Sequence, residues 1–186
     1  QVISGINMEN SMMQNYADIL NFNQTPPEMV NNDYPFDIGL AYGTNLVYYD
    51  TLSNRYYADA AFGGVRQEKF INTYGSINEM DFAVAANIAE KAYIGLTVGV
   101  PTINYYENSV YIESRVRDTI PNFISLQYNY DLHTKGTGVN VKFGVIYRPF
   151  SWFRIGANVH TPTLYPSMSD QWSSAMQSNF TTTSWN

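Results

Sequence analysis

Four segments of this chain alternate apolar residues with polar or very small ones almost without exception. They span residues 81–89, 92–100, 138–148 and 152–161. Because successive side chains of a strand point to opposite faces, this period of two predicts β-strands that each have one apolar face. Each segment is about 9 to 11 residues long, which is the length that a tilted strand needs to cross a bilayer.

The two faces of these segments differ sharply in composition. The apolar face carries Phe82, Val84, Ala86, Ile88, Ala92, Ile94, Leu96, Val98, Val100, Val139, Val141, Phe143, Val145, Tyr147, Phe153, Ile155, Ala157 and Val159. The opposite face is mostly Gly, Ala and Asn, and in the third segment Ile146 falls outside the pattern. Small residues with a few polar ones suit the inside of a barrel. We expect five polar residues to face such a lumen: Asn140, Lys142, Arg154, Asn158 and His160.

The overall composition points in the same direction. The net charge of -6, with only ten Lys and Arg residues, argues against a nucleic-acid partner, since phosphate binding needs clustered Lys and Arg side chains. Charged residues make up 14% of the chain, against about 25% in an average soluble domain, while Tyr and Phe number 16 and 10. Aromatic side chains suit a surface that meets both lipid and water. No apolar run is long enough for a membrane helix, so any crossing is expected to use strands.

The connections between the strands are strongly asymmetric in length. Keeping the apolar faces together predicts a three-residue turn at 89–91 and another at 149–151. The second turn would place Tyr147 opposite Phe153, and Gly144 opposite Gly156. The connection between the two hairpins, at 101–137, is long and polar, although parts of it alternate too. Short turns at one end and long loops at the other are typical of outer-membrane barrels.

Alternation alone also fits a soluble antiparallel sandwich, in which the apolar face packs on a protein core. The two interpretations differ in what covers Val141, Phe143, Ile155 and Val159. The membrane interpretation requires that these side chains touch hydrocarbon. A second layer of this chain packed over them would contradict it.

The first third of the chain has a different character. A helix is predicted over residues 10–21, capped by Asn10 or Ser11. Five residues form an apolar stripe along it: Met12, Met13, Tyr16, Ile19 and Leu20. One interpretation is that the stripe is the buried face of a loop helix. The other is that it lines an outer groove that captures a hydrophobic ligand, because Met adapts to irregular apolar shapes. Residues 35–49 alternate weakly and favour a strand, although Pro35 could equally occupy the first turn of a helix.

Several short motifs point to one protein family. They are KGTGVNVKFG at 135–144, YRP at 147–149, WFRIG at 152–156, HTPT at 160–163, GVRQEK at 64–69 and GSINE at 75–79. With these motifs, residues 60–175 resemble the FadL-like outer-membrane transporters of hydrophobic compounds, of the type found in Bacteroidetes. The resemblance implies a barrel of about 14 strands with an amino-terminal hatch, which passes long-chain fatty acids or other hydrophobic molecules across the outer membrane.

The hatch and the Asn-Pro-Ala motif of that family are not found in residues 1–186, and the residues that follow Gln1 do not read as a secretory signal. We therefore expect an internal piece of a longer protein. In this expectation the fold is all-β, an antiparallel transmembrane β-barrel that is only partly present here. Residues 1–65 would form an extracellular loop region with a short helix, and residues 66–186 would form barrel strands and loops.

No catalytic motif is visible, and we expect no enzyme activity and no metal site. Some relatives in the resembling family are labelled haem receptors, but His133 and His160 have no ligand spacing, so we expect no cofactor. The expected function is passive passage of hydrophobic small molecules through a gated barrel, with outer-membrane lipid and that ligand as partners. The alternatives are a structural subunit that binds other outer-membrane proteins, and a soluble β-sandwich that serves as a binding module.

Overall fold

The computed structural model of this protein describes residues 1–7, 11–58, 64–116 and 122–181. Strands dominate these residues. They are β1 (Val2–Asn7), β2 (Tyr48–Asp50), β3 (Arg55–Tyr57), β4 (Val65–Ile88), β5 (Ala92–Arg115), β6 (Phe123–Phe150), β7 (Phe153–His160) and β8 (Leu164–Phe180). The helices are α1 (Met12–Phe22), a 3-10 turn (Pro27–Met29), α2 (Val30–Asp33) and α3 (Ile38–Gly43). Among the described residues, no helix combines the length and the apolar character needed to cross a membrane.

One large sheet contains most of the strands. Its order is β1-β4-β5-β6-β7, and β8 also pairs with β6. Strand β1 pairs with β4 and strand β6 with β7 in antiparallel orientation, and the short turn between β4 and β5 requires the same of that pair. A separate antiparallel hairpin joins β2 and β3. The expectation of an all-β fold is confirmed.

The central strands are much longer than the alternating segments predicted. β4 and β5 have 24 residues each and β6 has 28. The predicted long polar connection at 101–137 is therefore wrong, because β5 continues past Pro101 and β6 begins at Phe123. Residues 135–138 lie inside β6. The glycines there make room for β8, since a Cβ atom at Gly138 would lie 2.8 Å from ring carbons of Tyr165.

The turn predicted at 89–91 is confirmed. It joins the last residue of β4 to the first of β5, and Ala89 and Glu90 adopt φ angles of 51° and 57°. These angles are costly for residues other than Gly. Asn87 offsets part of that cost, since its Oδ1 accepts a hydrogen bond from Glu90 N at 3.0 Å.

The predicted turn at 149–151 is wrong in its register. Phe150 pairs with Phe153, and a β-bulge between Tyr147 and Phe150 then shifts the ladder, so Tyr147 pairs with Ile155. Gly144 accordingly lies opposite Asn158 instead of Gly156. Because the shift is two residues, every side chain stays on its predicted face.

Where β7 ends and β8 begins, a side chain completes the ladder with β6. The backbone N of Thr161 donates to the carbonyl oxygen of Val141 at 2.9 Å. In return, the backbone N of Val141 donates to the hydroxyl Oγ1 of Thr161 at 3.0 Å, where a regular ladder would use a carbonyl.

The chain divides into two compact units. The first contains Gln1–Thr73, Glu107–Asp131 and Trp172–Asn186, and it holds the apolar core. The core members are Met13, Ala17, Leu20, Val30, Ile38, Ala41, Leu46, Val47, Tyr56, Ala58, Val65, Phe123, Leu126 and Met176.

Helix α1 forms as its sequence predicts. Ser11 caps it, because its Oγ accepts hydrogen bonds from Met13 N at 3.1 Å and Gln14 N at 3.3 Å. The strand predicted within 35–49 is wrong, since Ile38–Gly43 is helical. Asp37 caps that helix, because its Oδ1 accepts a 2.5 Å hydrogen bond from Ile38 N. This local hydrogen bond favours the helix over the strand that the weak alternation predicted.

The second unit contains Tyr74–Tyr106 and Leu132–Gln171. Its buried residues are small or polar: Gly99, Pro101, Gly136, Gly138 and Asn140. Its large apolar side chains are half-buried or exposed instead. Val141, Phe143, Ile155 and Val159 expose 37%, 45%, 57% and 67% of their surface. No part of the described chain forms a second layer that buries these four side chains.

Candidate functional site

A cluster of charged and polar side chains lies on the small-residue face of the second unit. Lys142 Nζ contacts Glu79 Oε1 at 2.9 Å and Asp81 Oδ1 at 3.1 Å. Asn140 Nδ2 donates to the same Glu79 oxygen at 2.9 Å. The cluster therefore ties β4 to β6 with one cation and two carboxylates. Its formal charge is -1.

Gly99 of β5 makes this cluster possible. A Cβ atom there would lie 2.6 Å from Asn140 Oδ1 and 2.9 Å from Asp81 Oδ1, and would overlap Glu79 Oε1. Any larger residue would push the three oxygens apart. Asn140 exposes only 3% of its surface, and its Oδ1 has no hydrogen-bond partner among the described residues.

An apolar groove lies further along the same strands. Its volume is about 480 Å³. It is lined by Ala85, Tyr93, Ile94, Gly95, Gly144, Val145, Ile146, Gly156, Ala157 and Asn158. Most of these residues belong to the small-residue face, so absent side chains create the space, while Tyr93 and Ile146 supply most of the apolar bulk.

This groove explains why Ile146 breaks the alternation of the third segment. Ile146 pairs with Gly156 across β6 and β7, and a Cβ atom at Gly156 would lie 3.4 Å from Ile146 Cγ1. The large side chain therefore rests over a glycine on the groove face. The sequence contains a signal for this groove. Ile146 is a single large apolar residue on the small-residue face, and such a residue among glycines marks a place where that face makes an apolar contact.

The structure brings together part of the predicted lumen set. Asn140 and Lys142 belong to the polar cluster, and Asn158 lines the apolar groove. His160 pairs with Lys142 on the neighbouring strand, and Arg154 is exposed on β7. The contacts of Glu79 and Asp81 with Lys142 were not predicted, since neither is visible without the pairing of β4, β5 and β6.

The predicted ligand-capture stripe on α1 takes part in core packing. Met13 and Leu20 are buried in the first unit, Met12 and Tyr16 pack against its core, and Ile19 is 40% exposed. Burial, together with the nearby Asp37 carboxylate, raises the pKa of the Tyr16 hydroxyl above its usual value. This is the arrangement that the packing interpretation predicts.

The two histidines are engaged differently. His133 Nε2 lies 2.8 Å from Asn104 Oδ1, and its ring stacks on Tyr106 with centroids 3.9 Å apart. His160 is exposed. Within the described ranges, no group of three or more His, Asp or Glu side chains could hold a metal ion.

Comparisons with known proteins add no relatives: no family model matches this sequence, and no curated protein matches it.

Proposed function

We propose that this chain contributes strands to an outer-membrane β-barrel through which hydrophobic small molecules, such as long-chain fatty acids, pass by diffusion. The observation that carries the proposal is the distribution of side chains in the second unit. Apolar side chains on one face are exposed, while an ion cluster and the buried Asn140 lie on the other. A soluble sheet would cover its apolar face with a protein core, so this arrangement suits strands with lipid outside and a polar lumen inside.

The free energy of exposing this face to water supports a lipid environment. Fully burying one side chain such as Val, Ile or Phe is worth about 1.5–3 kcal/mol. The exposed apolar residues of the second unit include Phe82, Val84, Leu96, Val141, Phe143, Ile155 and Val159. Together they form a surface larger than isolated exposed residues can explain, and such surfaces mark protein or membrane contacts.

The extent of this surface agrees with the thickness of a barrel's apolar band. On β5 it covers nine residues, Ala92 to Val100. At about 3.3 Å per residue this is about 30 Å along the strand, or about 21–25 Å along the membrane normal at a tilt of about 35–45°. Outer-membrane barrels have a band about 25 Å tall.

The groove supplies a contact surface for the passing molecule. Its walls are apolar, its floor is made of backbone and small residues, and it lies on the face that would line the lumen. A diffusing ligand requires contact without tight binding. A shallow groove over glycines provides apolar contact with few side chains to hold the ligand.

Filling the groove tests the transport role. A Cβ atom at Gly144 would have no neighbour closer than 4.0 Å, so Gly144→Phe is expected to fold and to occupy the groove. Gly5→Phe is the matched control, because a Cβ atom at Gly5 meets nothing within 4 Å and Gly5 lies in β1. We expect uptake of a fluorescent fatty acid into vesicles to fall at least tenfold in Gly144→Phe only.

Two results would overturn the proposal. Unchanged uptake by a correctly inserted Gly144→Phe protein would remove the groove from the route. A wild-type protein that is monodisperse in buffer without detergent, and that does not insert into vesicles, would favour the soluble sandwich.

A further inference from the structure

A polar pocket lies on the same face of the second unit as the exposed apolar residues, and next to them. Exposure alternates without error along β6 from Lys135 to Val141. Lys135, Thr137, Val139 and Val141 are exposed, and the residues between them are buried. Lys135 and Thr137 therefore share a face with Val139 and Val141, and the surface changes from apolar to polar within one pair of residues.

The pocket combines hydroxyl groups with one cation. Its volume is about 270 Å³. It is lined by Thr102, Ile103, Asn104, Lys135, Gly136, Thr137, Ser167 and Ser169, none of which carries a carboxylate. Four of these side chains are hydroxyls and one is an ammonium group.

Four of these polar side chains have no partner in the part of the chain that the structure describes. Within the described residues, the side chains of Lys135, Thr137, Ser167 and Ser169 make no hydrogen bond or ion pair. The Thr102 hydroxyl, by contrast, donates to Asn78 O at 3.2 Å, and Asn104 is paired with His133. A ligand that accepts hydrogen bonds and carries negative charge would satisfy the free groups.

Stacked rings mark the level of this pocket. Tyr74 and Tyr106 stack with centroids 4.9 Å apart and an interplanar angle of 13°. Tyr106 then stacks on His133 at 3.9 Å and 15°. Tyr106 lies two residues beyond Asn104, and His133 lies two residues before Lys135. Rings with a polar edge concentrate where a membrane meets water, so this row fits the headgroup level.

We propose that this pocket binds the phosphate of a membrane-lipid headgroup. The inference rests on the proposed membrane location. Lys135 would pair with one phosphate oxygen, and the hydroxyls of Ser167 and Ser169 would donate to the others. The acyl chains of the same lipid would lie on Val139 and Val141. The adjoining apolar surface is what distinguishes a lipid phosphate from a free one, since inorganic phosphate gains nothing from it.

Three probes in detergent solution test the site. They are phosphatidic acid, a diacylglycerol with the same acyl chains, and inorganic phosphate, each measured by native mass spectrometry. The variant is Lys135→Gln combined with Ser167→Ala and Ser169→Ala. Lys69→Gln is the control, because Lys69 is an exposed lysine on β4 in the first unit. We expect phosphatidic acid to bind at least tenfold more weakly to the triple variant, and normally to the control.

The outcomes separate this site from the transport proposal. Equal binding of phosphatidic acid to the wild type and the triple variant would overturn the site. Inorganic phosphate bound as tightly as phosphatidic acid would overturn the lipid assignment. The triple variant should still insert into vesicles and pass fatty acid. Failure of the wild type to insert would instead contradict the proposed function.

Discussion

The carboxylate of Glu113 in β5 accepts a hydrogen bond from the backbone N of Met12, the first residue of α1, at 2.8 Å. The same oxygen, Oε1, accepts from Gln67 Nε2 at 2.8 Å and from the Tyr111 hydroxyl at 2.5 Å. Glu113 has no exposed surface. An acidic side chain at a helix N-terminus also interacts favourably with the helix dipole. This one residue therefore fixes where α1 sits on the first unit's sheet.

Removing that carboxylate should destabilise the protein. Glu113→Ala leaves three donors unsatisfied, and hydrogen bonds to a charged group are worth about 1.5–3 kcal/mol. We expect the free energy of unfolding in detergent to fall by about 3 kcal/mol, and by less in Glu113→Gln, which keeps an acceptor oxygen. Glu28→Gln, on an exposed carboxylate, should change little. A Glu113→Ala protein as stable as wild type would show that α1 does not depend on this contact.

Gly99 should not tolerate even one methyl group. Gly99→Ala would force the oxygens of Glu79, Asn140 and Asp81 apart, and overpacking of this kind typically costs about 1–3 kcal/mol. Gly95→Ala, on the same strand and face, is the control, because the nearest atom would be 3.9 Å away. Thermal unfolding in detergent measures both. Similar melting temperatures for the two variants would mean that the cluster adjusts freely.

Two neighbouring residues on β7 test which face meets lipid. Val159 belongs to the exposed apolar face, whereas Asn158 lines the groove. A lysine on the lipid face of a barrel costs about 2–4 kcal/mol at the bilayer midplane and less near its edges. We expect Val159→Lys to reduce insertion into vesicles, scored by protection from protease, and Asn158→Lys to insert nearly as well as wild type. The opposite order would reverse the assignment of the two faces.

Tyr56 should make the first unit sensitive to alkaline pH. Its hydroxyl donates to Thr25 O at 2.7 Å, and burial raises its pKa to about 12 from the ordinary 10.0. Between these values the folded protein holds a proton that the unfolded chain has lost. The stabilisation is therefore complete below pH 10 and is lost as the pH rises through 12.

Removing the hydroxyl of Tyr56 should weaken the pH dependence of the free energy of unfolding. We expect the free energy of unfolding to fall less steeply over this pH range in Tyr56→Phe than in wild type. Tyr57→Phe is the control, because the side chain of Tyr57 is 40% exposed on the same strand. Equal slopes for all three proteins would mean that Tyr56 ionises in the folded state as it does in the unfolded chain.

Local patterns in the sequence were sufficient for the hairpin of β4 and β5 and for one helix. The alternation at 81–100 predicted the β4–β5 turn correctly, because the faces of both strands had to agree across it. The stripe from Met12 to Leu20 and the cap at Ser11 predicted α1. In both cases the determining interactions lie within a few residues of chain.

Features that depend on pairing between distant residues were not predictable. The bulge near Tyr147 set the register with β7, and nothing in residues 147–153 distinguishes it from a three-residue turn. Strand β8 was missed because Pro166 and several serines hide its alternation. The partners of Lys142 lie more than 60 residues away, at Glu79 and Asp81. Their meeting depends on the sheet order, which one sequence does not encode locally.

The hydroxyl of Thr161 has a consequence for which residues position 161 can accept. Since Val141 N donates to that side chain, the strand pairing there depends on residue type, unlike an ordinary rung made by backbone alone. Valine has nearly the same shape but would leave the amide of Val141 without its partner, which would cost several kcal/mol in the proposed lipid environment. Serine would restore it. Substitution at this site should therefore be confined to the two hydroxyl amino acids.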